Sequence, residues 1–342
     1  MQQYTGIDLQ PILTEPVDWR SKSWPVTSDP VMIKDVKSQG WNALSGEFSL
    51  PVLVLKEAAL EHNIQLMSTY AKEHGVSLAP HTKTPASPQL ADRQLAAGAW
   101  AISVATFHHA RLFRQLGFRR ILMANQLLEP RCLAWVAEQL ASDPDFQFWC
   151  LVDSSRAVEL MESHLASARY HGRLGVLVEL GIAGGRSGCR SVTAGVELAE
   201  QVAQSPYLRL AGIEAYENVA PLEEFESKLA AVDQLMGEMR HLANSLADGH
   251  LLPAEGELLI TAGGSMFFDR VVNQLAADWH LPLRVRLVLR CGSYIAHDEG
   301  AYEAYSPLAG RSEREHRLRQ ALELWSLVLS RPEPGLAVLG VR

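Results

Sequence analysis

Residues 173–188 read RLGVLVELGIAGGRSG, an apolar run closed by a glycine-rich turn. Such a pairing has two meanings. In an open, doubly wound sheet, a glycine-rich turn after the first strand cradles the phosphates of a dinucleotide. Here the run is the fifth of its kind along the chain, too late to be that first turn. VSLA (76–79), WAISVA (100–105), RRILMA (119–124) and FQFWCLV (146–152) precede it, and LRLAGIEA (208–215), GELLITA (256–262) and LRVRLVLR (283–290) follow. Amphipathic stretches such as PASPQLADRQLAAG (85–98) and TFHHARLFRQLG (106–117) lie between most of them. Eight such runs alternating with helices predict a parallel sheet with crossover helices, and eight is the number that closes a barrel. The expected fold is α/β, a (β/α)8 TIM-type barrel. The open sheet is the alternative, since periodicity by itself does not settle closure.

Outside these runs the pattern changes. PVLVLK (51–56) reads as a further buried strand, and EAALEHNIQLMSTYAKEHG (57–75) as a helix that Gly75 stops. Residues 1–49 are rich in Pro, Trp, Ser and Gly without a sustained period, with Trp19, Trp24 and Trp41 expected to anchor the segment by packing. RQALELWSLVLS (319–330) reads as helix with adjoining strands. Its apolar face, Leu322, Leu324, Trp325, Leu327 and Val328, would need cover.

Composition narrows the function classes. The 342 residues are 47% hydrophobic and 20% charged with a formal net charge of −8, which offers no footprint for nucleic acid or an anionic membrane. No uninterrupted apolar run is long enough to span a bilayer, and the N-terminus has no basic region followed by an apolar one. The four cysteines, Cys132, Cys150, Cys189 and Cys291, are far apart and read as reduced thiols of a cytoplasmic protein.

The informative residues follow the runs. His81 and Lys83 come after the first, Asn125 and Gln126 after RRILMA, and Arg186 sits in the GIAGGRSG turn. Tyr216, Glu217 and Asn218 follow LRLAGIEA; Gly263, Gly264 and Ser265 follow GELLITA; Cys291, Gly292, Ser293 and Tyr294 follow LRVRLVLR. Parallel strands would bring all of them to one rim, where barrel enzymes gather their chemistry. The AGGS turn offers unobstructed backbone N–H groups and a hydroxyl, as a phosphate requires. A lysine, an arginine and a tyrosine on the same rim suit a phosphorylated aldehyde cofactor, pyridoxal phosphate, held by the lysine as a Schiff base. The chain has no Gly-rich Lys-Ser/Thr loop for nucleoside triphosphates, no G-x-S-x-G elbow and no His-Glu-x-x-His helix.

PHTKT (80–84), AAGAWAISVAT (96–106), ILMANQ (121–126), VELGIAGGRSG (178–188), LAGIEAYEN (210–218) and TAGGSMFF (261–268) resemble, in that order, the fold-type III pyridoxal phosphate enzymes. The branch is that of D-threonine aldolase, D-serine dehydratase and amino acid deaminase within the alanine racemase-like superfamily. The resemblance runs from about Pro51 to Tyr302. It implies a barrel carrying the cofactor at its C-terminal rim and a second, mostly β domain. Residues 1–57 and 291–342 would contribute to that domain, with 58–290 as the barrel. By position Lys83 resembles the Schiff-base lysine, Arg186 the arginine on the ring side, and Tyr216 the residue beside the ring. Gly263, Gly264 and Ser265 resemble the phosphate turn, and Tyr294 is expected at the cofactor beside Gly292 and Ser293. His81, Asn125 and Gln126 complete the candidate cofactor shell. A homodimer is implied by the resemblance alone.

The same branch carries a divalent metal, zinc or manganese, late in its second domain. Here His297 and Asp298 remain, the later His and Cys ligands have no counterpart, and the second domain is expected to be incomplete. The expected activity is dehydration of D-serine or another D-3-hydroxy amino acid to a keto acid and ammonia. D-threonine aldolase activity, racemisation and cofactor binding without catalysis are the alternatives.

Overall fold

The computed structural model describes residues 4, 6–217, 224–253, 256–277, 279–313 and 316–341. The eight runs become eight parallel strands: β1 Ser77–Leu78, β2 Ile102–Val104, β3 Arg120–Gln126, β4 Gln147–Val152, β5 Leu174–Leu180, β6 Leu208–Ala215, β7 Glu257–Ala262 and β8 Arg284–Leu289. Consecutive strands from β2 to β8 are neighbours, and β8 pairs with β1. Between β1 and β2 the circle is completed by a parallel bridge from His81 to Ser103 and by Trp100 N–H donating to Leu78 O at 2.8 Å. The barrel is the outcome, and the open sheet is excluded.

Helices follow the strands because the sequence caps them. Ser87, Thr106, Ser154 and Ser191 each accept, through the side-chain hydroxyl, an N–H of the following helix: α2 Pro88–Ala96, α3 Phe107–Gln115, α5 Ser155–Ser167 and α6 Val192–Gln204. The remaining helices packed on the barrel are α1 Glu57–Glu73, α4 Pro130–Ser142, α7 Phe225–Asp248 and α8 Phe268–Leu275.

Strand alternation sorts each run between two cores. In β5, Val176, Val178 and Leu180 face the helices and join their core, whereas Leu177 points into the barrel with Leu122, Trp149, Leu151, Ala211 and Leu259. One step further along β5, Glu179 points inward above that apolar layer. The run is apolar on both faces because both faces are covered.

β6 keeps this order only through a bulge. Val176 pairs with Leu210 and Leu177 with Gly212, so Ala211 is the extra residue. Leu210 and Ile213 both face the helices, and Ala211 and Glu214 both face inward. Without the extra residue the parity would reverse. Ile213 would enter the barrel and Glu214 would be driven among the helices. Gly212 permits the bulge, since a Cβ there would lie 1.9 Å from the Leu259 carbonyl oxygen.

Two expectations outside the barrel need correction. PVLVLK does form a strand, Val52–Leu55, but it pairs antiparallel with Leu322–Trp325 beyond the barrel. It is not buried: Leu53 is 63% and Leu55 41% exposed, because only one face of the two-stranded ribbon is covered. The stretch 319–330 is not helical. Its β-branched and aromatic residues go into Leu322–Trp325 and into Val328–Glu333, which forms a hairpin with Leu336–Leu339. The apolar residues expected there are exposed, Leu324 at 51% and Val328 at 55%. Trp24 and Trp41 do pack, edge to face at 5.1 Å, while Trp19 is largely solvated. Among the described residues no helix is long and apolar enough to cross a membrane.

Candidate active site

At the C-terminal rim the strands open into a cavity of ≈ 180 Å³. Lys83 reaches it from a loop fixed by its own backbone. Thr82 donates through N–H and hydroxyl to Ser103 O at 2.8 and 3.0 Å, and Ala86 N–H donates to Thr82 O at 2.8 Å. Burial first, then Arg186 and Arg290, lowers the Lys83 pKa from the ordinary lysine value, so more of the amine is free at a given pH. His81 also lines the cavity. Burial and then the Lys83 charge push its pKa down to about 3, with Arg290, His109 and Arg186 adding to the effect. The imidazole is therefore neutral, consistent with its Nδ1 accepting the Lys83 N–H at 3.4 Å.

The GIAGGRSG turn folds back on β5. Gly181 N–H donates to Cys189 O at 2.9 Å, Cys189 N–H to Glu179 O at 2.7 Å, and Gly188 N–H to the Asp153 carboxylate at 3.2 Å. This brings Arg186 and Ser187 to the cavity wall. Tyr216 lines the wall opposite the Gly264–Ser265 turn's Cα, close enough that a Cβ on Gly264 would meet its ring at 3.3 Å. Asn218 lies outside the described residues.

The AGGS turn differs from expectation in one respect. The N–H groups of Gly263 and Gly264 already donate to the buried Glu217 carboxylate, Gly263 at 3.1 Å. An anion at the rim is thus left to Ser265 and to the second turn at Gly292 and Ser293, all of which line the cavity. That second turn lies flat against the lysine loop. A Cβ on Gly292 would sit 2.3 Å from His81 O, and Ser293 Oγ is 3.4 Å from Thr84 Oγ1.

Three other expected residues stand back from the cavity. Tyr294 is fully buried beneath it, its hydroxyl accepting from Gln94 Nε2 at 2.8 Å. The sequence CGSY turns through a short 3-10 helix, Ser293–Ile295, which sends the tyrosine inward while Ser293 faces the cavity. Asn125 donates to Ala105 O at 3.3 Å and accepts from Gln126 N–H. Gln126 reaches the site at one remove, donating to Glu179 at 2.6 Å; Ala124 is the residue of that strand on the cavity wall.

The floor holds residues that the reading of polar clusters after each strand passed over. Glu179 accepts from Gln126 and from Ser187 Oγ at 2.7 Å, and burial raises its pKa. Arg290 donates to Thr261 Oγ1 at 2.9 Å, to Ala215 O at 3.2 Å and to Glu214 Oε1. Glu214 is buried, and burial outweighs the pull of Arg290 to bring its pKa up to about 8. Its second oxygen, Oε2, has no hydrogen-bond partner. The signal was parity: each of these residues is the last inward-facing position of its strand or the first residue beyond it.

This donor set fits pyridoxal phosphate. There is an amine of lowered pKa to meet the aldehyde, hydroxyls and a glycine turn to meet the phosphate, and an unpartnered buried carboxyl oxygen on the floor for a polar ring atom. A divalent metal finds less. His297 Nε2 lies 2.8 Å from Glu303 Oε2, and Asp298 accepts the Gly300 N–H at 2.7 Å. Among the described residues no three His, Cys, Asp or Glu side chains converge on one point.

Comparison with known proteins agrees with the geometry. The family model described as "Alanine racemase, N-terminal domain" matches residues 55–269. A 3-hydroxy-D-aspartate aldolase of Paracoccus denitrificans (strain Pd 1222) is 28% identical over 86% of this chain and 72% of its own length. A D-threonine aldolase of an Arthrobacter species is 29% identical over 84% and 70% respectively. The crystal structure of D-threonine aldolase from Filomicrobium marinum superimposes with a TM-score of 0.69 at 25% identity, covering 86% of this chain and 74% of the other. With its barrel, its rim lysine and a family match over more than half its length, the chain belongs to the alanine racemase N-terminal domain family of fold-type III pyridoxal phosphate proteins.

Proposed function

We propose that this protein is a pyridoxal phosphate-dependent lyase acting on D-amino acids with a hydroxyl on Cβ, and that it cleaves the Cα–Cβ bond to give glycine and an aldehyde. The observation that carries the reading is Lys83, set at the strand-end rim with its proton affinity lowered by burial and two arginines. When bound, the cofactor supplies an electron sink for the pair left on Cα.

The chain's own residues bind and orient. Lys83 meets the aldehyde as a free amine, which its lowered pKa favours. Ser265, Gly292 and Ser293 hold the phosphate, and Tyr216 packs beside the ring. Arg186 gives the mouth of the cavity a guanidinium suited to a carboxylate or a phenolic oxygen. His81 stays neutral, so it adds no positive charge beside the lysine.

Retro-aldol cleavage is placed ahead of dehydration because the curated relatives matched over most of this chain are named aldolases. Dehydration of the same substrates is the second reading. Incubation with pyridoxal phosphate and D-threonine, D-3-hydroxyaspartate or D-serine separates them by product. Glycine plus aldehyde supports the aldolase, keto acid plus ammonia the dehydratase, and enantiomer exchange a racemase. Cofactor bound through lysine without any of these products would make the chain a binding protein. Borohydride reduction followed by peptide mapping should find the cofactor on Lys83, and Lys83→Ala should lose both the bound-cofactor absorbance and turnover.

A further inference from the structure

The floor of the cavity contains one feature that holding a phosphate and an aldehyde does not use. Glu214 is a fully buried carboxyl group that lines the cavity, with Oε1 on Arg290 and Oε2 without a partner. A buried acceptor left open is expensive, and native structures keep one where a ligand completes it. Its place in the barrel says which part of a pyridoxal ring it would meet. The ring nitrogen lies para to the carbon bearing the aldehyde, and the phosphate arm lies between them on one side.

Around the barrel, Lys83 follows β1, the phosphate-binding turns follow β7 and β8, and Glu214 lies on β6, three strands from β1 in that same direction. Amine, phosphate turns and carboxyl group therefore occur in the order aldehyde, phosphate, nitrogen. We propose that Glu214 faces the ring nitrogen of the cofactor through Oε2 and holds that nitrogen protonated. This rests on the reading of the site as a pyridoxal phosphate site.

The charges around Glu214 support the assignment. Arg290, on the strand end beside it, and Arg186, from the turn after β5, favour its anion; burial, Glu179 and Glu217 disfavour it. Burial is the larger influence, so near neutral pH the free protein keeps a proton on this carboxyl group, with a pKa of about 8. An aromatic nitrogen placed against Oε2 takes that proton. The O–H bond breaks, an N–H bond forms, and the resulting carboxylate is flanked by the pyridinium and by Arg290. Arg290 could compete as the ring partner and would leave the nitrogen unprotonated. Its terminal nitrogens, however, already donate to Thr261, Ala215 and Glu214. A protonated ring withdraws electrons more strongly, as breaking a bond at Cα requires.

The test loads the full chain with pyridoxal phosphate labelled with 15N in the ring and reads the nitrogen by NMR at neutral pH. The expected signal in the wild-type protein is at the pyridinium position. In Glu214→Gln it should move to the unprotonated position, with the cofactor still on Lys83. A wild-type signal at the unprotonated position overturns the inference even if Glu214→Gln fails to fold, and so does a pyridinium signal that Glu214→Gln leaves in place. Glu179→Gln, one strand away, should keep the pyridinium signal; its loss there would assign the role to Glu179 instead. A folded chain that takes up no cofactor overturns the underlying reading, and the inference with it.

Discussion

Gly212→Ala isolates the bulge on which the site depends. The new Cβ would be 1.9 Å from the carbonyl oxygen of Leu259, a backbone atom of the neighbouring strand that no side-chain rotation can move aside. Overpacking of this kind costs about 1–3 kcal/mol and occasionally more, and a rigid backbone contact belongs at about 3. At about 2–4 °C per kcal/mol, the scale for domains of 150–250 residues, the melting temperature should fall by at least about 6 °C. Relief comes most directly by expelling the bulge, which reverses the parity of everything after it. Glu214 and Tyr216 would both lose the cavity, so cofactor affinity should fall with stability, by at least about tenfold, equivalent to 1.4 kcal/mol. Scanning fluorimetry reads the first effect and titration of cofactor absorbance the second. Gly237→Ala is the control: it lies within α7 with nothing within 4 Å of the added Cβ. Exchanging a helical glycine for alanine should stabilise by about 0.5–1 kcal/mol. A Gly212→Ala protein that melts within a degree of wild type and binds cofactor equally well would refute the argument from the bulge.

Capture of pyridoxal phosphate by Lys83 requires the neutral amine. Its lowered pKa means that the capture rate should rise with pH and level off below the ordinary lysine value of 10.5; Arg186→Gln should move that inflection upward. An inflection at or above 10.5 in wild type would contradict the electrostatics of the rim. Tyr294→Phe should leave Gln94 Nε2 without its buried partner and cost about 1–3 kcal/mol in denaturant unfolding, with cofactor affinity unchanged. A tenfold weaker cofactor affinity would return Tyr294 to the site. Replacing the floor pair together, Glu214→Leu with Arg290→Met, should be neutral to stabilising, within the roughly 1–4 kcal/mol seen when buried ion pairs become apolar. The same double variant should bind cofactor poorly, and a strongly destabilised one would show that the pair holds the barrel together.

The barrel was legible because each run is both apolar and bounded, and because a Ser or Thr cap follows several of them. Lys83, Arg186 and Tyr216 were legible for a related reason: residues just beyond a parallel strand share one rim, whatever the details of the loops. The floor was hidden inside the strands themselves. Glu179 and Glu214 occur within VELG and GIEAY, where a run read as uniformly buried draws attention away from its one charge. Reading parity along β5 would have exposed Glu179 as inward-facing. For Glu214 even parity fails, since the bulge at Ala211 shifts it by one residue and is visible only in the pairing. Tyr294 was misplaced because a 3-10 turn reverses direction within a single residue, and no period announces that. The strand pairing of Val52–Leu55 with Leu322–Trp325 joins segments far apart in sequence, and nothing local specifies such a partner.

The interior of this barrel changes character with depth, and that change explains how one fold carries both stability and chemistry. Its middle layer, Leu122, Leu151, Leu177, Ala211 and Leu259, is packed as any barrel core is. One residue pair higher along the strands, the inward positions become Glu179, Glu214, Thr261 and Arg290. Placed in an apolar medium singly, each of these charges would be strongly disfavoured. They are tolerated as a layer because Arg290 ties Thr261 to Glu214 while Gln126 and Ser187 satisfy Glu179. Every partner in that network comes from a different strand or strand-end loop, so the network exists only when the barrel is closed in register. The one atom left out, Glu214 Oε2, points to the ligand side. A layer that is satisfied everywhere except toward the cavity is rigid where the fold needs it and reactive where the ligand binds.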